Sequence, residues 1–89
     1  MSQQEPPKIE FPCHYPIRVM GEAHDDFIDR VYDIVNEHAP DIDRASMKTR
    51  DSSKGRFISV HFVIEAQGVE QLEQIHVSLK AYSAVKMVL

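Results

Sequence analysis

The densest cluster of basic side chains in this sequence lies between residues 44 and 56. This basic segment contains five of the ten lysine and arginine residues and one acidic residue, so its net charge is +4, whereas the whole chain carries −4. Charge of one sign in a short segment predicts attraction of an anion or of an acidic protein partner. The alternative is a solvated hairpin whose charges prevent an edge strand from pairing with other chains. The basic side chains are Arg44, Lys48, Arg50, Lys54 and Arg56.

A short turn inside the basic segment is a candidate anion site. Backbone N–H groups in a turn rich in serine and glycine can surround an anion, and neighbouring basic side chains supply positive charge. The residues that we expect to contact such a ligand are Ser52, Ser53, Lys54 and Gly55.

Histidine, cysteine and acidic residues show no pattern typical of a catalytic or metal site. The five histidines have no spacing such as H-x-x-x-H, and structural zinc needs several clustered ligands. Cys13 and His14 are adjacent, but they stand beside prolines, with no basic neighbour or triad partner to activate the thiol. The sequence therefore predicts a non-enzymatic protein without a metal ion or cofactor.

Length and composition are those of one small globular domain. The chain has 89 residues, 43% hydrophobic and 27% charged, and no run approaches the ~20 apolar residues that a bilayer span requires. The amino terminus has neither the basic patch nor the apolar stretch of a secretory signal. The single cysteine fits a reducing compartment. We therefore expect a cytoplasmic protein with no membrane segment.

The elements that must position these side chains are organised around the stretch from Lys54 to Ala66. Apolar residues alternate there with more polar ones, as in a long strand with one buried face. The set expected to face the core is Ile58, Val60, Phe62 and Ile64. The set expected on the other face is Phe57, Ser59, His61, Val63 and Glu65.

The remaining periodicities surround this strand with two helices and three further strands. We predict strands over 15–20, 44–50 and 84–89, and helices over 24–38 and 68–80. The order β-α-β-β-α-β predicts a ferredoxin-like α+β sandwich, with two helices on one face of a four-stranded antiparallel sheet. The expected strand order is 4-1-3-2, which places the long strand in the centre. Residues 1–14 are expected to form an irregular arm, and residues 15–89 the domain.

Several short segments together resemble a known family. They are Val19-Met20-Gly21, His38-Ala39-Pro40, Ser52-Ser53-Lys54-Gly55, Ser59-Val60 and Lys86-Met87-Val88-Leu89. From about Phe11 to Leu89 the chain resembles the YbeD family of small bacterial proteins. The resemblance implies a ferredoxin-like fold similar to the ACT domains, which bind amino acids and regulate metabolic enzymes. It implies no reaction.

The resemblance to ACT domains implies a second candidate site. In those domains the loop after the first strand contacts the effector and the neighbouring subunit, and Met20, Gly21 and Glu22 occupy that place here. The alternative is that Gly21 simply permits a tight turn after the strand.

The open face of the predicted sheet raises two further interpretations. RNA-recognition motifs share this element order and need aromatic side chains on the open faces of strands one and three. If their motif began at Lys54-Gly55, its aromatic positions would be Arg56 and the core-facing Ile58, so nucleic-acid binding is disfavoured. Exposed apolar residues on that face instead favour a homodimer. The alternative is that the arm, through Ile9 and Phe11, covers part of the face.

Taken together, these patterns predict a small regulatory or interaction domain. The first hypothesis, from the resemblance to ACT domains, is binding of a small metabolite or modulation of a metabolic enzyme. The second is an adaptor whose basic hairpin docks an acidic protein partner. RNA binding is less favoured than either.

Overall fold

The computed structural model describes residues 10–52 and 54–89, which form four strands and two helices in the predicted order. A short 3-10 helix, Arg44–Ser46, precedes the second strand. The strands are β1 (Cys13–Glu22), β2 (Lys48–Asp51), β3 (Phe57–Ala66) and β4 (Val85–Val88), and the helices are α1 (Phe27–His38) and α2 (Val69–Ala81).

The sheet has the strand order β2-β3-β1-β4, with every neighbouring pair antiparallel. This is the predicted 4-1-3-2 order, and it leaves β2 and β4 at the edges. The ferredoxin-like sandwich predicted from the sequence is confirmed. The central strands β1 and β3 are paired along ten residues each, so their register determines which side chains share a face.

The core lies between the sheet and the two helices. Strand β3 directs Ile58, Val60, Phe62 and Ile64 into it, as the alternation predicted. Because Val19 pairs with Val60 and Ile17 with Phe62, the core side chains of β1 lie beside those of β3. The helices complete the core with Phe27, Val31, Val35, Ile75 and Leu79.

Strand β1 extends two residues further at each end than the sequence predicted. It begins at Cys13, which pairs with Ala66, so the predicted boundary of the arm at residue 14 falls inside the strand. The rest of that arm lies, up to residue 9, outside the described residues. Pro16 is tolerated because its nitrogen faces the β4 side of β1 and needs no hydrogen-bond partner there. The last backbone hydrogen bonds between β1 and the end of the chain are formed two residues later, between Arg18 and Leu89.

The strand predicted over 44–50 is wrong in its first half. Asp43 ends the loop by accepting the Ala45 N–H at its side-chain Oδ1, 3.0 Å away, and Ser46 Oγ donates to the Asp43 carbonyl at 2.6 Å. These bonds stabilise the 3-10 helix, so β2 begins only at Lys48. Alternation of residue types over 44–50 could not reveal this local competition.

Helix α2 begins without a capping bond from its N-cap residue Gly68. Gln71 compensates one turn later, because its Oε1 accepts the Gln67 N–H at 2.7 Å. Its Nε2 donates to the His38 carbonyl at the end of α1, also at 2.7 Å. One amide therefore joins the start of α2 to the end of α1.

Candidate functional site

Three basic side chains come together on the open face of the sheet, opposite the helices. Lys48 of β2 pairs with His61 of β3, which pairs with Arg18 of β1, so these three residues form one row across three strands. Arg50 lies in the next row, because it pairs with Ser59. We call Arg18, Lys48 and Arg50 the cationic band.

The cationic band is not neutralised within the part of the chain that the structure describes. All three side chains belong to exposed residues, and none forms a salt bridge there. By contrast, Lys86 of β4 forms a salt bridge at the far end of the same face, with its Nζ 3.8 Å from Glu22 Oε1. The band therefore presents positive charge to solvent beside the face's apolar side chains.

The basic segment predicted from the sequence does not form one surface. Arg44 lies in the 3-10 helix, where its Nη2 donates to Asp29 Oδ1 of α1 at 3.0 Å. The prediction that Arg44 joins the hairpin edge is therefore wrong, because the bonds around Asp43 turn the chain away before β2. Lys48 and Arg50 face the open side of the sheet, while Lys54 and Arg56 lie in the exposed turn.

The turn between β2 and β3 uses several of its own backbone donors. The Ser52 N–H donates to the Phe57 carbonyl at 2.9 Å, and the Gly55 N–H donates to the Ser52 carbonyl at 3.0 Å. The Phe57 N–H donates to Ser52 Oγ at 3.2 Å. An anion would have to compete with these bonds. Lys54 is exposed, Gly55 has a positive φ of 69°, and Ser53 lies outside the described residues.

The three residues assigned to the loop after the first strand lie inside β1 and do not converge. Met20 and Glu22 are half-buried on the open face, whereas Gly21 is buried on the core side. Gly21 also forms no turn: it pairs with Ile58 in the middle of the sheet. The expectation of a turn at Gly21 is wrong, because the strand continues for one more residue.

The histidines and Cys13 are dispersed. Within residues 10–52 and 54–89, no three His, Cys, Asp or Glu side chains are grouped as a metal ion would require. His38 Nε2 lies 3.1 Å from Ser78 Oγ and links the two helices, and His61 Nε2 lies 3.2 Å from Ser59 Oγ on the open face. Cys13 and His14 point to opposite sides of β1, since they are consecutive in a strand.

Apolar side chains flank the cationic band. Val63 of β3 is 52% exposed, Met87 of β4 is 47% exposed and Phe57 of β3 is 44% exposed. Exposed apolar groups on one face beside unpaired charge are typical of an interaction surface.

A wide groove adjoins the band at one end of the sheet. Its volume is about 1150 Å³, more than the roughly 300–1,000 Å³ typical of clefts that enclose small ligands. One wall is the loop between α1 and β2, through residues 38–43 and Ser46, and the floor includes β3 from His61 to Glu65. Arg18 and Lys48 also line it, so the groove and the band form a continuous surface.

Arg18 is the member of this surface that the distribution of charge along the chain does not reveal. It is thirty positions from Lys48 and lies outside the basic segment. Period-two alternation in the first strand does place it on the face opposite Ile17 and Val19. Its position beside Lys48 depends on the pairing of both residues with His61.

Within the described part of the chain, neither helix combines the length and apolar character needed to cross a membrane. A solved structure shares the whole fold: the solution structure of protein HP0495 from H. pylori superposes with a TM-score of 0.74 and 17% sequence identity. The alignment covers 100% of this chain and 93% of that one. At this identity the likeness concerns the fold alone.

Closer relatives are found among bacterial proteins of similar length. A UPF0250 protein of Azotobacter vinelandii is 52% identical over 84 residues, covering 93% of this chain and 91% of the relative. One from Pseudomonas paraeruginosa is 54% identical over 86 residues, covering 96% and 92%. One from Chromobacterium violaceum is 39% identical over the full length of both chains.

A family described as "Protein of unknown function (DUF493)" matches residues 6–89. The match and the relatives agree with the resemblance drawn from the short sequence segments. The chain therefore belongs to the DUF493 or UPF0250 family, the YbeD-like family of small bacterial proteins.

Proposed function

We propose that this chain is a non-enzymatic interaction domain of the cytoplasm that docks an acidic segment of a partner protein on the open face of its sheet. The observation that carries the proposal is the cationic band of Arg18, Lys48 and Arg50, which has no salt-bridge partner among the described residues. This modifies the adaptor hypothesis: docking is assigned to the face of the sheet, and the hairpin turn lies beside it.

Charge and apolar area together support a protein partner. An acidic side chain is attracted by the band, and burial of Val63 and Phe57 contributes roughly 25 cal/mol for each Å² of apolar surface removed from water. Polar contacts then select the partner, while the apolar contacts add affinity.

The ACT-like alternative, binding of a small metabolite at Met20, Gly21 and Glu22, has less support. Gly21 faces the core, whereas Met20 and Glu22 face the open side of β1, so the three side-chain positions do not form one site. The groove beside the band has a volume of about 1150 Å³, more than is typical of clefts for small ligands, so a polypeptide segment is the better-suited occupant.

RNA binding is also less favoured. Phe57 and His61 are the aromatic rings that β3 presents on the open face, and the partner of Phe57 across the sheet is Glu22. A carboxylate beside the stacking position repels the phosphate backbone.

The proposal is tested by amide-shift NMR titration of the labelled full chain with a short glutamate-rich peptide at low and high salt. Parallel titrations use a polyuridylate oligonucleotide and a panel of amino acids. We expect saturable shifts at Arg18, Lys48 and Arg50 with the peptide, weaker at high salt because exposed charges are screened.

Two triple-alanine variants provide a matched comparison, because each removes three positive charges. The first replaces Arg18, Lys48 and Arg50, and the second replaces Arg44, Lys54 and Arg56. The first should weaken peptide binding about tenfold or more, and the second much less. Equal weakening in both variants, or saturable binding of the oligonucleotide or an amino acid without the peptide, would contradict the proposal.

A further inference from the structure

Strand β3 extends beyond β2, and part of its edge has no neighbouring strand within residues 10–52 and 54–89. It has ten residues, whereas β2 has four. The register between them ends at the pair of Lys48 with His61, so the segment after His61 has no strand on the β2 side among the described residues. The chain leaves the line of β2 at this point because the 3-10 helix precedes Lys48.

The backbone groups of Val63 and Glu65 point toward this free edge. The backbone groups of Phe57 point to the β2 side, because its C=O accepts the Ser52 N–H and its N–H donates to Ser52 Oγ. Residues two apart in a strand direct their backbone groups to the same side, so Val63 and Glu65 follow Phe57. Within residues 10–52 and 54–89, these two N–H groups and the Val63 carbonyl have no strand to bond to.

The neighbouring free edges are less suited to pairing. On β1, the segment from Cys13 to Pro16 extends past Leu89, but Pro16 has no N–H to donate. The outer edge of β2 is short and carries Lys48, Arg50 and Asp51, charges that oppose strand addition. The edge of β3 adjoins the groove, whose lining includes Phe62, Val63, Ile64 and Glu65.

We propose that this edge accepts an extended segment of the partner protein, which adds to the sheet beside Val63 and Glu65. The inference rests on the proposed function and specifies how the acidic segment is held. The segment runs antiparallel to β3, because it continues the line of β2 and every strand pair in this sheet is antiparallel. Its backbone bonds to the N–H and C=O groups of Val63 and to the N–H of Glu65.

The charges around the edge specify the side chains of that segment. The partner residue opposite Val63 shares the open face with Val63 and lies next to Lys48 along the line of β2. An acidic side chain is favoured there by Lys48 and by the adjacent band. The residue opposite Glu65 faces a carboxylate, so an acidic side chain is disfavoured at that position.

The probe is a capped seven-residue peptide in which threonine and valine alternate, with glutamate in the last threonine position. The glutamate is placed last because Met47 and Lys48 already occupy the line of β2 beyond the residue opposite Val63. Titrated into the labelled full chain, it should shift the amides of Val63 and Glu65 and slow their hydrogen exchange. Exchange slows because N–H groups that were open to water now donate to the peptide backbone.

Backbone N-methylation of the probe distinguishes edge pairing from contact with the open face alone. In an antiparallel pair, the residue opposite Val63 donates its N–H to β3, and the next residue donates away from it. Methylating the glutamate N–H should therefore weaken binding about tenfold, and methylating a valine N–H should have little effect. If the two methylated peptides bind equally well, edge pairing is wrong.

Variants of the protein test the same contact independently. Val63→Pro removes the backbone N–H that donates a hydrogen bond to the peptide. Val63→Thr retains this N–H and is the matched control. We expect loss of binding in the first and retention in the second, with the spectra of the distant core residues confirming the fold. If the triple-alanine variant of the cationic band loses binding but N-methylation has no effect, docking on the face stands and pairing at the edge fails.

Discussion

At the scale of single residues, packing in the core requires glycine at position 21. A Cβ at this position would lie 2.5 Å from Phe27 Cε1 and closer still to the carbonyl oxygen of Ala84. Phe27 cannot move aside freely, because its ring stacks on Tyr82 with the centroids 5.8 Å apart. The glycine therefore allows helix α1 and the turn before β4 to approach β1.

We predict that Gly21→Ala lowers the free energy of unfolding by about 1–3 kcal/mol, since overpacking displaces the Phe27 ring or the backbone at Ala84. Gly68→Ala is the control, because a Cβ there meets no atom within 4 Å. It should cost less than about 1 kcal/mol, the loss associated with a weaker N-cap residue. Urea denaturation of both variants measures the difference, and equal stability would refute this account of Gly21.

At the scale of elements, β3 connects the core to the candidate interaction surface. Its consecutive residues alternate between the two, so Phe62 is 3% exposed and its neighbour Val63 is 52% exposed. A substitution at a buried position changes the free energy of unfolding, whereas a substitution at the next position changes the side chains that the open face presents. The strand can therefore carry a binding function without weakening the core.

We expect Phe62→Ala to destabilise the protein by about 3–5 kcal/mol, because it leaves a cavity between the sheet and the helices. Val63→Ala should cost less than about 1 kcal/mol, mostly through lower strand propensity. Thermal and urea unfolding of the two variants provide the comparison. Similar losses at both positions would mean that the open face is covered in the native protein.

At the scale of the whole molecule, the sheet formed by the described residues is four strands wide at its centre and two strands wide at one end. The pair Val19 and Val60 lies in the centre, with β2 and β4 outside it. The pair Tyr15 and Ile64 lies beyond the last residues of β2 and β4 that pair with the central strands. The groove and the free edge of β3 are both at this narrower end.

We predict that hydrogen exchange is at least about tenfold slower at Val19 and Val60 than at Tyr15 and Ile64, since opening of a two-stranded end disrupts fewer contacts. Both pairs face the core side and exchange hydrogen bonds between the same two strands, which makes them a matched comparison. Amide exchange followed by NMR on the full chain measures the rates. Uniform protection along both strands would show that the narrow end is covered by other residues.

Local patterns explain why much of the fold was predictable. The alternation from Phe57 to Ala66 and the helical spacing of Phe27, Val31 and Val35 depend only on neighbouring residues. The ends of elements were less accurate, because they depend on particular bonds. For example, the bond from the Ala45 N–H to the Asp43 side chain stabilises a 3-10 helix where the first half of a strand was predicted.

The order of elements, the ferredoxin-like fold and the residues on each face of β3 follow from periodicity, which is a local property of the chain. Which distant side chains share a surface depends on how the strands pair. Arg44, inside the basic segment, pairs with Asp29, whereas Arg18, far from the segment, joins Lys48 through their common neighbour His61. The physical reason is that strand register is set by burial of the apolar face across the whole sheet. The charges on the open face then take the positions that this register assigns to them.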